Sequence, residues 1–429
     1  MQNADDSSFT LPALRYLLTD PGRALLAEAR ANSDTPAAVT RLRKSHPADA
    51  VHIALTLARL REKAARKFPE IPTLFSPQEA LEQSTSLAVA RHKAARFAKY
   101  FSEMGAMPCG TPLGMSQTIG AQSQLLLDAC CGIGGDALAL AAIAPVVAVD
   151  LSPIRLFCLK QNAAQLQPPH AIHTLCADIA APALDLTRLT AFHIDPARRS
   201  SGKRHHAYED MLPGPAAIDH LIKYIPAGAI KLSPAVDFDS LPPGHLELIS
   251  EDSTVVQAVL YTGGLSTLLG PPARRTASSL KHAQARFSFT AAVEPLAILA
   301  PPGEFIAEVD PALHRAGLAP ALARMLSAQP LNDDGGLITS PAPLAHAAAT
   351  CFRHITTLPF NEKRLRTLLP TFPPTASGPV EVKSRGRLDI DTDKLQRQLS
   401  AATDRAFTVL LYRAHDKTIA SITARQFAK

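Results

Sequence analysis

Leu125–Asp136 reads LLLDACCGIGGD, and VVAVDLSP follows at Val146–Pro153. An apolar run, a glycine turn, a helix start and a second apolar run ending in a carboxylate leave little choice beyond a βαβ unit. Both apolar runs are short and continuous, as in parallel strands covered on two faces. Gly132, Gly134 and Gly135 lack Cβ, so the backbone can turn tightly there and come close to a ligand. The run DALALAAIA after them is rich in strong helix formers. Asp150 stands 18 residues past Gly132, at the predicted tip of the second strand. A carboxylate there can accept both hydroxyls of a ribose.

Two ligands suit that frame. Gly132, Gly134 and Ala137 satisfy the G-x-G-x-x-A form of the dinucleotide fingerprint, which needs a bare helix N-terminus for the pyrophosphate. Asp136 stands at that helix start, however, and Asp128 ends the strand below it. Carboxylates repel a pyrophosphate but suit the ammonium and sulfonium charges of S-adenosylmethionine. The charge pattern favours the methyl donor; an NAD(P)-dependent oxidoreductase is the alternative. The next two runs extend the pattern. IHTLCADI places Asp178 and Ile179 after a third strand, within reach of an adenine amino group. AFHIDPARR, Ala191–Arg199, ends a fourth strand with Asp195-Pro196. Ligands of open α/β sheets bind beyond the carboxyl ends of strands, and Asp128, Asp150, Asp178 and Asp195 all fall on that edge. Cys130, beside the glycines, and Leu151, after Asp150, complete the candidate cofactor contacts.

The segments DACCGIGGDALAL, AVDLSPIRLFCLKQNA, HIDPARR and KLSPAVD resemble the core of the class I S-adenosylmethionine-dependent methyltransferases that carry a THUMP-like C-terminal domain. LRKSHP…ARLREKAARKFP and LFSPQEALEQSTSLAVARHKAARF resemble that family's N-terminal helical region, and LPFNEKRLR…VEVKSRGRLDIDTDKLQRQL its C-terminal module. The resemblance implies an α/β fold: a Rossmann-like domain with a seven-stranded, mostly parallel sheet, an N-terminal helical domain and a C-terminal α+β module. The expected boundaries are 1–114, 115–291, a bridging segment at 292–350, and 351–429. Methylation of a base in a structured RNA, tRNA or rRNA, is the implied activity. A non-catalytic RNA-binding protein that keeps the fold is a further alternative.

Charge distribution fits a polyanionic partner. Arg41–Lys99 holds 12 Lys/Arg against 5 Asp/Glu, and Arg353–Lys429 holds 14 against 7, in a chain of net charge +6. The middle is therefore acidic and both flanks basic, as expected if outer modules hold RNA while the core does chemistry. The C-terminal run alternates strand and helix without an aromatic cluster, and the chain has no Trp. That points to structured RNA read through shape and phosphates rather than single strands held by stacking. No apolar stretch reaches the ~18 residues of a membrane span, and the polar start MQNADDSSFT does not read as a secretory signal. Six cysteines, two of them adjacent, lack metal-ligand spacing, so no metal is expected. They are expected reduced, in the cytoplasm. The oligomeric state stays open.

Other elements read locally. Ile53, Leu57, Leu60, Ala64 and Phe68 form a helical stripe. Ser76-Pro77-Gln78-Glu79 predicts a capping box opening a helix with Ala90, Ala94, Phe97 and Phe101 on one face and Lys93 elsewhere. Pro215–Tyr224 reads as a helix and GAIKLSP as a fifth strand. LELIS and TVVQAVLYTG form an antiparallel edge pair, and FIAEVDPALHRAGL a strand turning into a helix. For chemistry, Asp195 is the candidate proton acceptor and Pro196 fixes its loop. Ala197 and Arg198 stand where base N-methyltransferases typically place a second proline and an aromatic. Arg198 and Arg199 can stack on a base, bind phosphate or pair with a core aspartate. Lys203, Arg204 and Lys231 are candidate substrate contacts, with Asp237 an alternative partner for Lys231.

Overall fold

The computed structural model describes residues 8–31, 35–106, 124–181, 184–198, 208–271, 273–373, 377–386 and 388–425. Arg199, Lys203 and Arg204 lie outside them, as does the side chain of Arg198. The chain forms two compact units, one of residues 1–245 and 259–271, the other of 246–258 and 272–429.

The first unit begins with helices α1 (Leu11–Tyr16), α2 (Asp20–Ala31), α3 (Pro36–Ser45), α4 (Ala48–Lys67), α5 (Gln78–Gln83) and α6 (Leu87–Ala106). The α4 stripe is largely buried as expected, through Ile53, Leu57 and Ala64, with Phe68 just past its end. The capping box does not form. Pro77 occupies the N-cap without a side-chain bond, and the Ser76 hydroxyl donates to the Pro77 carbonyl at 2.7 Å. Nor does one helix run through this region: Ser84–Ser86 break it in two. Lys67 donates to the carbonyls of Leu81, Glu82 and Ser84 at 2.7–2.9 Å. A cation there satisfies the exposed carbonyl end of α5.

The α/β part follows, with β1 (Leu126–Ala129), α7 (Gly135–Leu140), β2 (Val146–Asp150), α8 (Pro153–Leu166), β3 (Ile172–Cys176), β4 (Ala191–Ile194), β5 (Ala197–Arg198), β6 (Met211–Leu212), α9 (Pro215–Tyr224) and β7 (Ala227–Leu232). The parallel order is β3-β2-β1-β4-β7. Strand order reverses at β1 and β4, so their carboxyl ends form the crevice of a doubly wound sheet. Ser152 caps α8 by accepting from the Arg155 amide at 3.3 Å, with Pro153 at the first helical position. Buried Asn162 of α8 bonds both backbone groups of Phe75 and the carbonyl of Ile133, tying the helical region to the glycine turn.

β8 (His245–Glu251) and β9 (Thr254–Thr262) come next; the Val259–Thr262 end of β9 and helix α10 (Gly263–Leu269) belong to the first unit. In the second unit this pair is not an edge. β10 (Arg274–Lys281) pairs parallel with β8, and β11 (Gln284–Ala292) antiparallel with β10. The residues read as a bridge supply β12 (Phe305–Val309), α11 (Pro311–Arg315), α12 (Ala319–Met325), β13 (Gln329–Pro330) and β14 (Leu337–Ser340). They join β15 (Ala349–Pro359), β16 (Glu381–Ser384), β17 (Thr408–Ala414) and β18 (Lys417–Arg425) in a sheet ordered β13-β14-β12-β15-β18-β17-β16. Helices α13 (Glu362–Leu368) and α14 (Thr392–Ser400) cover it through Leu365, Leu395 and Leu399, packed with Val409, Leu411 and Ile422. Asn361 and Asp391 cap the two helices, as short polar side chains do. Among the described residues no helix is long and apolar enough to cross a membrane.

Candidate active site

The glycine turn is built as a close fit. Cys130, Gly132 and Gly134 all have positive φ, which an L side chain tolerates poorly. At Gly134, with φ +96°, a Cβ would lie 2.1 Å from Leu159 Cδ1. Gly134→Ala is therefore expected to cost about 2–4 kcal/mol from left-handed backbone plus overpacking. Urea unfolding measures this, and an unchanged midpoint would refute it. At Gly135 a Cβ would meet the Thr85 carbonyl oxygen at 2.8 Å, whereas at Gly132 it would meet nothing within 4 Å. Two glycines thus serve protein packing and the third borders open space.

Asp150 braces this turn. Its Oδ2 accepts from the Gly132 amide and its Oδ1 from the Ser152 amide, each at 2.8 Å. The carboxylate is thereby fixed at the tip of β2, beside Leu151, which is 64 % exposed. Asp178 and Ile179 follow β3; Asp178 is exposed and accepts from the Ala180 amide, while Ile179 is buried. The Cys130 thiol is pushed well up by burial and by Asp150, so it is neutral and no nucleophile.

Below the turn lies a buried network that was only partly foreseen. Asp128 is wholly buried, and its Oδ1 is 2.8 Å from His193 Nδ1. His193 Nε2 is 3.0 Å from Lys93 Nζ, and Lys93 Nζ is 2.6 Å from Asp136 Oδ1. Thr85 donates to Asp136 Oδ2 at 2.8 Å. An ammonium has no acceptor, so Lys93 donates to Nε2 and the His193 proton sits on Nδ1, bonded to Asp128. Asp136, read from sequence as facing a ligand, is committed instead to Lys93 and Thr85.

The energetics of the network are uneven. Burial opposes ionisation of Asp136, but His193, Lys93 and Lys231 together hold its carboxyl well below the usual range. Burial pushes the Asp128 carboxyl up despite its bond to His193. Asp128 Oδ2 is buried with no hydrogen-bond partner. Burial also disfavours the Lys93 ammonium, which Asp136 favours. A cation at the glycine turn would favour the ionised form of Asp128, and its donors would satisfy Oδ2. These residues fit the ammonium and sulfonium of S-adenosylmethionine. Asp128→Asn should leave stability equal or higher, since burying the charge is costly, yet weaken S-adenosylmethionine about 10- to 100-fold. Calorimetry of both properties tests the split; an unchanged affinity would discard it.

The carboxyl edge of the sheet is completed at the end of β4. The Asp195 amide donates to the Ala129 carbonyl at 3.2 Å, so Asp195 begins where the first strand ends. Its Oδ2 is 2.6 Å from Lys231 Nζ, and Lys231 also donates to the Gln83 carbonyl at 3.2 Å. Asp195, not Asp237, is thus the partner of Lys231. Pro196 is buried, and β5 pairs antiparallel with β6, which fixes the backbone just past Asp195.

Comparison with known proteins agrees with this geometry. The family model described as RNA cap guanine-N2 methyltransferase matches residues 123–252, and the THUMP domain-like model matches 349–425. A model for a domain of unknown function matches 10–64. Two relatives from Mycobacterium tuberculosis, strains CDC 1551 and H37Rv, are each described as an uncharacterized S-adenosylmethionine-dependent methyltransferase. Each is 30% identical over 379 residues, covering 85% of this chain and 93% of the relative. A crystal structure described as "putative methyltransferase from Porphyromonas gingivalis W83" superposes with a TM-score of 0.69 over 97% of this chain and 96% of that one. At 18% identity it shows a shared fold. With the glycine turn, the carboxylates at its strand ends and relatives spanning most of its length, the chain belongs to the S-adenosylmethionine-dependent methyltransferases and carries a THUMP-like C-terminal domain.

Proposed function

We propose that the chain methylates a base in a structured RNA, tRNA or rRNA. The observation that carries this reading is Asp195, 30 % exposed and held by Lys231, at the one corner where β1 and β4 both end. S-adenosylmethionine, when bound, would supply an electrophilic methyl carbon, its C–S electron pair returning to sulfur as the base nitrogen takes the methyl group. The nitrogen's proton passes to the Asp195 carboxylate and on to solvent. Asp128 and the Gly132 backbone would hold the amino-acid end of the cofactor, Asp150 the ribose, and Leu151, Asp178 and Ile179 the adenine. Pro196 keeps the acceptor in place, so positioning supplies much of the rate.

RNA as the substrate is supported by the basic flanks, by the family model named for an RNA methyltransferase and by the THUMP-like module. Arg198, Arg199, Lys203 and Arg204, which follow Asp195 in the sequence, add positive charge that suits a phosphate backbone. The test is mass spectrometry of tRNA and rRNA nucleosides from cells lacking the protein, followed by methylation of that RNA by purified protein. A methylated nucleoside missing from those cells and restored in vitro is the expected result; an unchanged nucleoside profile would refute the reading.

A further inference from the structure

The helical region holds a cavity of about 140 Å³ between α2, α4 and the segment Pro69–Leu74. Its floor is apolar, with Leu26, Ala54, Leu57, Ile71 and Leu74 all buried. Exposed Arg30 and Arg61 stand at its rim, and among the described residues no carboxylate lines it. Arg30 donates to Thr73 Oγ1, and burial together with the Arg61 guanidinium lowers its pKa. Neighbouring arginines are neutralised: Arg23 by Asp20, Arg41 by Glu28 and Arg91 by Glu70. Glu70 lies on the segment that walls the cavity, yet its carboxylate is engaged by Arg91.

Two like charges at the mouth of an apolar cavity repel each other until an anion arrives. Paired guanidinium forks match phosphate oxygens better than a single ammonium does. A cavity of roughly 150 Å³ accepts a benzene-sized ring, so one six-membered ring fits here with an apolar C–H edge on the floor and its polar edge toward the mouth. We propose that this cavity binds a pyrimidine nucleoside monophosphate unit, ring on the Leu57–Ile71 floor and phosphate between Arg30 and Arg61. The unit comes either from a free nucleotide or from an unstacked nucleotide of RNA, the form in which bases become readable. The RNA source rests on the function proposed above; the site itself does not.

The test is equilibrium titration of the full chain with uridine monophosphate, uridine, adenosine monophosphate and a heptauridylate oligonucleotide, with S-adenosylmethionine affinity as a control for folding. Uridine monophosphate should bind at least tenfold more tightly than uridine or adenosine monophosphate. Arg30→Ala/Arg61→Ala should weaken it at least tenfold while S-adenosylmethionine affinity stays within twofold. Ala58→Phe, which fills the cavity, should do the same. No binding of uridine monophosphate, equal binding by the double variant, or adenosine monophosphate binding as tightly each overturns the proposal. An oligonucleotide that outcompetes the mononucleotide and is weakened by the same variants assigns the site to RNA; a weaker one assigns it to free nucleotide. Should RNA nucleosides prove unmethylated while uridine monophosphate binds as expected, the proposed activity fails and the site stands.

Discussion

Lys93→Met should lower stability by about 3–5 kcal/mol, the usual cost of leaving one member of a buried ion pair alone. Lys93 is 1 % exposed and sits 2.6 Å from Asp136, so methionine would leave that buried carboxylate to Thr85 and to His193 Nε2, 3.7 Å away. His193 would lose the donor that fixes its tautomer, freeing the proton to move from Nδ1 to Nε2 and away from Asp128. S-adenosylmethionine affinity should therefore fall at least tenfold, beyond the effect of lower stability. Adding Asp136→Asn to the same chain should recover most of the stability, because replacing both members of such a pair is far milder than replacing one. Urea unfolding and calorimetric titration read both effects. A single variant as stable as the parent would remove the network from the account of this site.

Asp195→Ala should reduce methyl transfer by roughly 10²–10⁴-fold, the range for losing a positioned proton acceptor, with S-adenosylmethionine affinity unchanged. The Asp195 side chain lies just past β4, 30 % exposed, while Asp128 and Asp150 are buried at the glycine turn. Asp195→Asn separates two roles. The amide still accepts a hydrogen bond but cannot take the proton, so recovery to near-parent rates would make Asp195 an orienting group. Single-turnover transfer to the RNA identified by nucleoside analysis is the measurement. Activity of the alanine variant within threefold of the parent would end the assignment.

What was legible from sequence depended on distance along the chain. The glycine turn, Asp150 at the tip of β2, Asp195 just past β4 and the helix at Pro215–Tyr224 follow from patterns a few residues long and lie where those patterns put them, while Asp128 falls one residue inside β1 and Asp178 two past β3. The Lys93–His193–Asp136 cluster joins residues up to 100 apart, so no local pattern shows it. A clue existed: Lys93, read from sequence as lying off the apolar face of α6, follows Ala90 by three residues and precedes Phe97 by four, the spacing of that face and an odd place for a lysine without a partner. The strands β10 and β11 were missed for another reason. Two-residue hairpins favour Asn-Gly or Asp-Gly because both central residues need positive φ. This one uses His282 and Ala283, at φ 50° and 63°. The turns at Asp252-Ser253 and His415-Asp416 bend the same way, equally without glycine. The capping box failed because Pro77 took the N-cap that the pattern gave to Ser76.

The near-contact of the Thr85 carbonyl with Gly135 has a bearing on how this enzyme can be taken apart. A fragment beginning at β1 would keep every glycine of the turn and the aspartates of β1 to β4, yet lose the ammonium and the hydroxyl that hold the start of α7. Excised or grafted onto another scaffold, such a sheet would carry bare acid in its interior. The smallest portable catalytic piece therefore begins upstream of Thr85, and swaps between relatives must move α6 and the sheet together.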